Sequence, residues 1–363
     1  MDEFFTRSGR VDSYEFEKVS VSNIEKSLGK IKGVTGGTLT FSYYSDLKVS
    51  GELEIIDTKQ VENCLVRVWY VPSLDGKTRR IELCTCFAST SESRYENGKW
   101  SCKVQLRSVL ARHIDDKLHK HYTMSKGKGA VDYFTSMFKW LGGAYKVTGV
   151  KNRKFTKTVV AEFGKHPMEV LQYIASFVGG EITCDTHGRT VLKKYTVPSK
   201  RSVVYELPSG AYSVTLPGYN LTDSTSGTPN RVAVKFKYSV GKGKSKKDKT
   251  LYGLASVSKS NATSKSKTGR YITECVELNN LSPKTQAKVN AVAKSQLKKV
   301  SQCAKYYEIE CYYLPIHRYA LNGNVVRFRY GSLDIDAVVA SIDMELGIGG
   351  KMKVMLRSVR KHG

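Results

Sequence analysis

The chain has 363 residues, 40% of them hydrophobic, and a formal net charge of +26. The apolar fraction suffices for real cores, which excludes wholesale disorder, and no apolar run approaches the roughly 20 residues that a membrane-spanning helix needs. The charge admits nucleic acid, an acidic membrane surface or acidic proteins as partners, and by itself does not choose among them.

Length favours two to four domains, and 22 Tyr residues among many Val and Thr favour pleated surfaces. The opening MDEFFTRSGR lacks the basic-then-apolar layout of a secretory signal, which predicts folding in a cytosol and no membrane anchor. The eight cysteines are scattered, and a chain of this size needs no disulfide staples. Cys84 and Cys86 would share one strand face. With no second Cys or His pair at finger-like spacing, they are expected to be buried hydrophobes and not zinc ligands.

Residues 1–37 form an N-terminal segment with few periodic cues beyond Val19–Leu28. From Thr38 the text alternates: TLTFSYYSDLKVSGELEII, LVRVWYV, a turn at Asp75-Gly76, IELCTCFA, a tight turn at Glu96–Gly98, then KWSCKVQLRSVL. This spacing predicts a first β-barrel domain over 38–118. An α+β middle domain is expected over 119–200. There Val131, Phe134, Met137, Phe138 and Leu141 fall on one helical face, and HPMEVLQYIASFVGG repeats the pattern, with Pro167 at a first helical turn. EITCDTHGRTVLKKY reads as a hairpin turning at His187-Gly188.

A second α+β region follows over 201–303, interrupted by a Lys/Ser-rich stretch, 241–270, that reads as a long exposed, mobile loop. SPKTQAKVNAVAKSQLKKVSQ reads as a helix with Ser282 as cap, Pro283 in the first turn and Lys298-Lys299 near the end. Short strands return in a closing β-barrel domain over 304–363, to which 201–240 could add strands.

Self-similarity is the most informative feature. KVQLRSV (Lys103–Val109) recurs as KVMLRSV (Lys353–Val359). VRVWYVPSLD (Val66–Asp75) matches VRFRYGSLD (Val326–Asp334) once one residue near Val71-Pro72 is dropped. Two blocks in the same order predict one small β-domain, duplicated and then separated by an insertion. The expected fold is therefore α+β and mainly β, with two duplicated small antiparallel β-barrel domains flanking a central α+β region. Such a chain suits a ring, because a trimer of it presents six similar surfaces.

These phrases, with SGELEII near the start and ALNGNVVRFRYGSLDIDAVVASIDMELGIGGKMKVMLRSV at the end, resemble the tail hub or baseplate hub proteins of long-tailed bacteriophages, the T-even type of central hub. The likeness runs from about Thr38 to Val359 and includes HPMEVLQYIASFVGGEITCDTHGRTVL and SGAYSVTLPGYNLTDSTSGTPNRVAVKF. It implies a structural protein without catalysis or cofactor: a homotrimer whose two barrels per chain make a pseudo-sixfold ring. The ring would join a hexameric tail tube to a threefold tip, in a virion assembled in host cytoplasm. Implied partners are further copies of the chain, the tail tube or distal tail protein, a tip or fibre protein, the tape-measure protein and, transiently, DNA in the lumen. The segment 241–270 and the head before Thr38 lack a counterpart in that family.

His113, Asp115, Asp116, His119 and His121 form the densest titratable cluster, and on a helix Asp115 and His119 would share a face. The string has no His-Glu pair at zinc-protease spacing and reads as a polar connector. His166 and His187 have no nucleophile signature beside them, and GKGKS (Gly241–Ser245) has the wrong spacing for a phosphate loop. Lys242, Lys244, Lys246, Lys247 and Lys249 form a candidate electrostatic interaction loop, for an acidic neighbour or for phosphates. A basic nucleic-acid-binding protein with tandem β-barrels is the alternative function, and a wall hydrolase a third.

Overall fold

The computed structural model describes residues 3–5, 9–209, 214–223, 228–241, 247–278, 284–301 and 305–361. The chain divides into two compact units, Met1–Asn220 with Glu308–Gly363, and Leu221–Tyr307.

The first unit opens with β1 (Tyr14–Val19), β2 (Ser27–Ile31), β3 (Val34–Ser42), β4 (Val49–Ile56) and β5 (Leu65–Tyr70). A two-residue hairpin, β6 (Ser73–Leu74) and β7 (Lys77–Thr78), leads into the long β8 (Ile81–Glu96) and β9 (Lys99–Ser108). Alternation explains these strands: Val49, Leu53 and Ile55 of β4 and Cys102, Val104 and Leu106 of β9 are buried while their neighbours are not. The β8–β9 hairpin turns at Asn97-Gly98, both with positive φ, as a two-residue loop of matching twist requires. The stretch before Thr38, which offered few periodic cues, thus contributes β1, β2 and the start of β3.

The middle of this unit is α+β. It comprises α1 (Ala111–Asp115), β10 (Tyr122–Met124), α2 (Ala130–Leu141), β11 (Tyr145–Thr148), β12 (Val159–Ala161), α3 (Pro167–Val178), β13 (Gly180–Cys184) and β14 (Thr190–Lys194). Phe134, Met137 and Phe138 of α2 meet Leu171, Ile174 and Val178 of α3 in one core. Glu169 accepts the His166 backbone N–H at 3.2 Å, which caps α3, and Gly179 ends it at φ 70°. The predicted hairpin is β13 against β14, with β11 added in parallel.

Two short strands follow, β15 (Val203–Glu206) and β16 (Asn220–Asp223). The second unit then contributes β17 (Arg231–Val240), β18 (Lys247–Ser256), α4 (Lys265–Thr268), β19 (Thr273–Leu278) and α5 (Gln286–Val300). Here β17 pairs antiparallel with β18 and parallel with β19, and Val289, Ala293 and Leu297 of α5 cover Val232, Val234 and Phe236. Gly253 of β18 lets the helix come close: a Cβ there would lie 2.9 Å from Val289 main-chain atoms. The segment expected as a long loop, 241–270, therefore carries a ten-residue strand and a helical turn. The cap of α5 is Thr285, whose hydroxyl accepts from Lys288 N at 3.3 Å, while Ser282 and Pro283 lie outside the described residues.

The chain finishes with β20 (Lys305–Tyr312), α6 (His317–Asn322), β21 (Val325–Tyr330), β22 (Leu333–Glu345) and β23 (Lys351–Lys361). Thirteen strands form one sheet in the order β16-β20-β23-β22-β3-β4-β9-β8-β5-β1-β2, with β21 and β15 branching from β22. The molecule is mainly β, as expected. No pairing among the described residues closes this sheet into a barrel. The two repeats join into one sheet because β22 outruns β21 and its free half takes β3 as a new partner. Among the described residues no helix is long and apolar enough to cross a membrane.

Candidate assembly surface

The repeated phrases occupy matching places in two three-stranded meanders. In the first, Val66 faces Cys86 and Cys86 faces Ser108. In the second, Val326 faces Ala337 and Ala337 faces Ser358. One step along, Leu65–Phe87–Arg107 corresponds to Val325–Val338–Arg357. Since a slip of one residue would turn every side chain to the opposite face, two identical registers are a stringent match.

Side-chain chemistry repeats with the register. Arg67 Nε lies 3.1 Å from Thr85 Oγ1 and 3.0 Å from Glu82 Oε1. Arg327 Nε lies 2.8 Å from Asp336 Oδ1 and 3.9 Å from Asp334 Oδ1. Thr85 and Asp336 are the residues directly opposite the two arginines. Further on, Glu92 faces Lys103 as Asp343 faces Lys353.

The correspondence extends beyond the meanders to the strands flanking them. β4 lies against β9, and β20 against β23; β3 lies outside β4, and β16 outside β20. Read along the sheet, β16-β20-β23-β22 and β3-β4-β9-β8 are two tetrads with one order. Glu54 faces Lys103, and Lys353 Nζ reaches Glu310 Oε1 at 3.9 Å. Faint sequence signals, absent from the expectations above, mark the same strands: Glu52-Leu53-Glu54 against Glu308-Ile309-Glu310, and Thr38-Leu39-Thr40 against Asn220-Leu221-Thr222.

The tetrads meet at a joint where β3 pairs antiparallel with the overhanging half of β22: Phe41 faces Ile342, Thr40 faces Asp343 and Leu39 faces Met344. Thr40 Oγ1 donates to Asp343 Oδ1 at 2.6 Å, and Tyr43 N extends the ladder to Ala340 O at 2.9 Å. Tyr43 then turns inward, its hydroxyl donating to Glu181 Oε2 at 2.6 Å and accepting from Arg201 at 3.0 Å. Burial, then the Glu181 hydrogen bond, holds its phenol well above the usual tyrosine range. The joint is thereby tied to β13 of the middle region.

The titratable cluster picked out in the sequence does not assemble. Helix α1 ends at Asp115, so no shared helical face with His119 forms, and Asp115 instead makes a two-point pair with Arg107 at 2.6 and 2.9 Å. His113 is buried edge-on against Phe138, and burial drives its pKa down to about 4. His119 meets Trp140, and His121 meets Glu162 at 3.0 Å. Asp116 offers its carbonyl to the His166 ring at 3.0 Å. His187 bridges Glu82 and Glu25 at 3.0 and 2.9 Å. Cys84 and Cys86 are buried, the latter thiol pushed up by its Cys84 hydrogen bond and by burial. Among the described residues no three His, Cys, Asp or Glu side chains gather as a metal site. Lys247 and Lys249 are exposed on β18, opposite Val240 and Tyr238, and Lys242, Lys244 and Lys246 lie outside the described residues.

No family model matches the chain, and no curated protein matches it. Among solved structures it is similar to the 43 kDa tail protein of prophage MuSo2 from Shewanella oneidensis, with TM-score 0.62 and 16% identity over 95% of this chain and 98% of that one. It is likewise similar to the tail protein from Neisseria meningitidis MC58, with TM-score 0.63 and 11% identity over 95% and 97% of the two chains. For prophage tail protein gp18 from Listeria monocytogenes EGD-e the TM-score is 0.51 and the identity 10%, over 96% and 95%. The chain has the phage tail-protein fold. The match covers 95% of this chain, so it is not confined to one domain.

Proposed function

We propose that this chain is a structural tail hub protein of a bacteriophage. Three copies form a ring with pseudo-sixfold symmetry that joins a hexameric tail tube or distal tail to a threefold tip. The observation that carries this reading is the pair of tetrads with one strand order and one register within a single chain. Two equivalent units per chain turn a threefold assembly into six similar positions, as a symmetry adapter requires. The similarity in fold to prophage tail proteins supports it.

In this reading the protein works by shape and repeated interfaces, without catalysis or a cofactor. Its partners are further copies, the tail tube or distal tail protein, a tip or fibre protein and the tape-measure protein, and DNA crosses its lumen. It is assembled in host cytoplasm and resides in the virion tail. The exposed Lys247 and Lys249 with their neighbours Lys242, Lys244 and Lys246 serve an acidic neighbour or the passing nucleic acid. Negative-stain images of the purified chain are expected to show threefold rings with six lobes. Particles without a ring, together with a salt-sensitive gel shift, would favour a nucleic-acid binder, and clearing on a peptidoglycan zymogram would favour a wall hydrolase.

A further inference from the structure

The second unit concentrates the charge of the chain. Leu221–Tyr307 is under a quarter of its length, yet with 18 Lys and Arg against 4 Asp and Glu it carries +14 of the net +26. Between Asp248 and Glu274 there is no acidic residue. Helix α5 covers one face of the β18-β17-β19 sheet, through Val232, Val234 and Phe236. Strand alternation turns Arg231, Ala233, Lys235 and Lys237 to the other face, where Ala233 lies opposite Leu254 and Lys235 opposite Tyr252. Among the described residues this face is uncovered: Tyr252 is 67% exposed and Leu254 60%. Two contacts from behind fix the strand that carries them. Gln286 Nε2 donates to Tyr252 O at 2.6 Å, and Gly253 packs closely on Val289. At one end of the face the Arg231 guanidinium lies 4.2 Å from the centre of the Tyr271 ring, and Lys265 Nζ 4.9 Å from it. A cleft of about 280 Å³ lined by Ser256, Lys259, Ser264, Lys265 and Tyr271 adjoins that end, since Ser256 is the residue opposite Arg231.

We infer that this face binds single-stranded nucleic acid, with backbone phosphates along Arg231, Lys235 and Lys237 and an unpaired base on Tyr252. Cations beside exposed rings suit an unpaired strand, because its phosphates take the charge and each base offers a flat face to an aromatic ring. Arg231 to Lys237 spans about 20 Å at the rise of a strand, the reach of roughly four nucleotides, which is the short end of such sites. The acidic groups on the face leave the stripe cationic. Glu277 is committed to Lys235 at 2.7 Å and Asp248 accepts from Ser239 at 2.5 Å, while Arg231 donates to the neutral Thr273 hydroxyl at 2.8 Å. A duplex fits less well, because its major groove admits a helix or a two-stranded ribbon and not the flat of a three-stranded sheet. An acidic peptide would meet the charge and leave the Tyr252 ring unused. Lys247 and Lys249 lie opposite Val240 and Tyr238, on the side of α5, and are not part of this surface. The inference stands on the second unit alone and holds with or without the ring, so the two readings fail separately.

The test is fluorescence polarisation of the full chain with a labelled oligothymidylate, across about 50–200 mM salt. Binding is expected to weaken steeply as salt rises. Tyr252→Ala should weaken it about 5- to 150-fold at an unchanged salt dependence. Lys237→Gln should lower the salt slope by about 0.7, the share of one phosphate on a single strand. Lys298→Gln with Lys299→Gln, which removes two charges from the last turn of α5 on the covered side, should change the affinity less than Lys237→Gln does. No binding at the lowest salt, or a Tyr252→Ala chain that binds as the wild type does, overturns the inference. So does tighter binding of a duplex of the same length, or of poly-glutamate, which would make the partner a duplex or an acidic protein. Should Tyr252→Ala not fold, Cys275 of the unaltered chain decides, an exposed thiol on the same face opposite Ala233. Protection of Cys275 from a maleimide by the oligonucleotide supports the assignment, and unchanged labelling with the strand bound overturns it.

Discussion

Arg67 and Arg327 hold the same position in the two meanders, each aimed at the neighbouring strand where a carboxylate waits. Their settings differ in depth. Arg67 is buried, and its guanidinium also donates to Ile24 O at 2.6 Å, while Arg327 is half-buried. Removing Arg67 leaves Glu82 with one fewer partner in a largely enclosed site, and breaking a buried pair costs about 3–5 kcal/mol. Arg67→Ala is therefore expected to lower the urea midpoint far more than Arg327→Ala, whose Asp336 keeps Arg360 at 3.0 Å. Equal, small losses would contradict this reading of the first meander.

Acid should destabilise the fold through two buried histidines. His317 is fully buried, its Nε2–H donating to Glu82 O at 3.1 Å and its Nδ1 3.3 Å from the Tyr313 hydroxyl, and burial holds its pKa down at about 3. His113 is held at about 4 by the same cause. Both are neutral when folded and take up a proton at about 6.5 when unfolded. Their contribution is complete above pH 6.5 and is lost as pH falls toward the folded values, at up to about 1.4 kcal/mol per pH unit for each. Urea midpoints measured between pH 7 and pH 4 should drop, and His317→Phe should reduce that slope. A flat profile would count against neutral burial.

The β3–β4 hairpin needs glycine at Gly51. A Cβ there would run into Thr38 O on the neighbouring strand and into Leu39. Gly51→Val should displace β3 and loosen its ladder with β22, at about 1–3 kcal/mol. Hydrogen exchange should localise the loss to Thr38–Ser42 and Ser341–Glu345. Wild-type protection there would refute the assignment.

Lys247 and Lys249 stand exposed on β18, and in the proposed function their charges serve contacts outside the chain. Lys247→Gln with Lys249→Gln should change stability by less than about 0.5 kcal/mol and reduce any salt-dependent association. A marked fall in thermal midpoint would place them in the fold instead.

The repeats could be read in the sequence because KVQLRSV and KVMLRSV keep both the alternation and the identities that a strand face needs. The joint could not. Thr40 and Asp343 are 303 residues apart, and strand pairing at that separation leaves no local signal. For the same reason the running of one sheet through both copies could not be read in the sequence. Residues 247–256 read as loop because Gly253 and Ala255, small residues chosen by the approach of α5, supply little of the apolar alternation that marks a strand. The His113–His121 stretch gathers titratable residues only in sequence, and the fold sends each to its own partner.

Light scattering coupled to size exclusion tests the central claim most directly. The account predicts the mass of three chains, falling to one chain on dilution without passing through larger species. A stable monomer over the whole concentration range, or an even-numbered assembly with twofold symmetry, would contradict it.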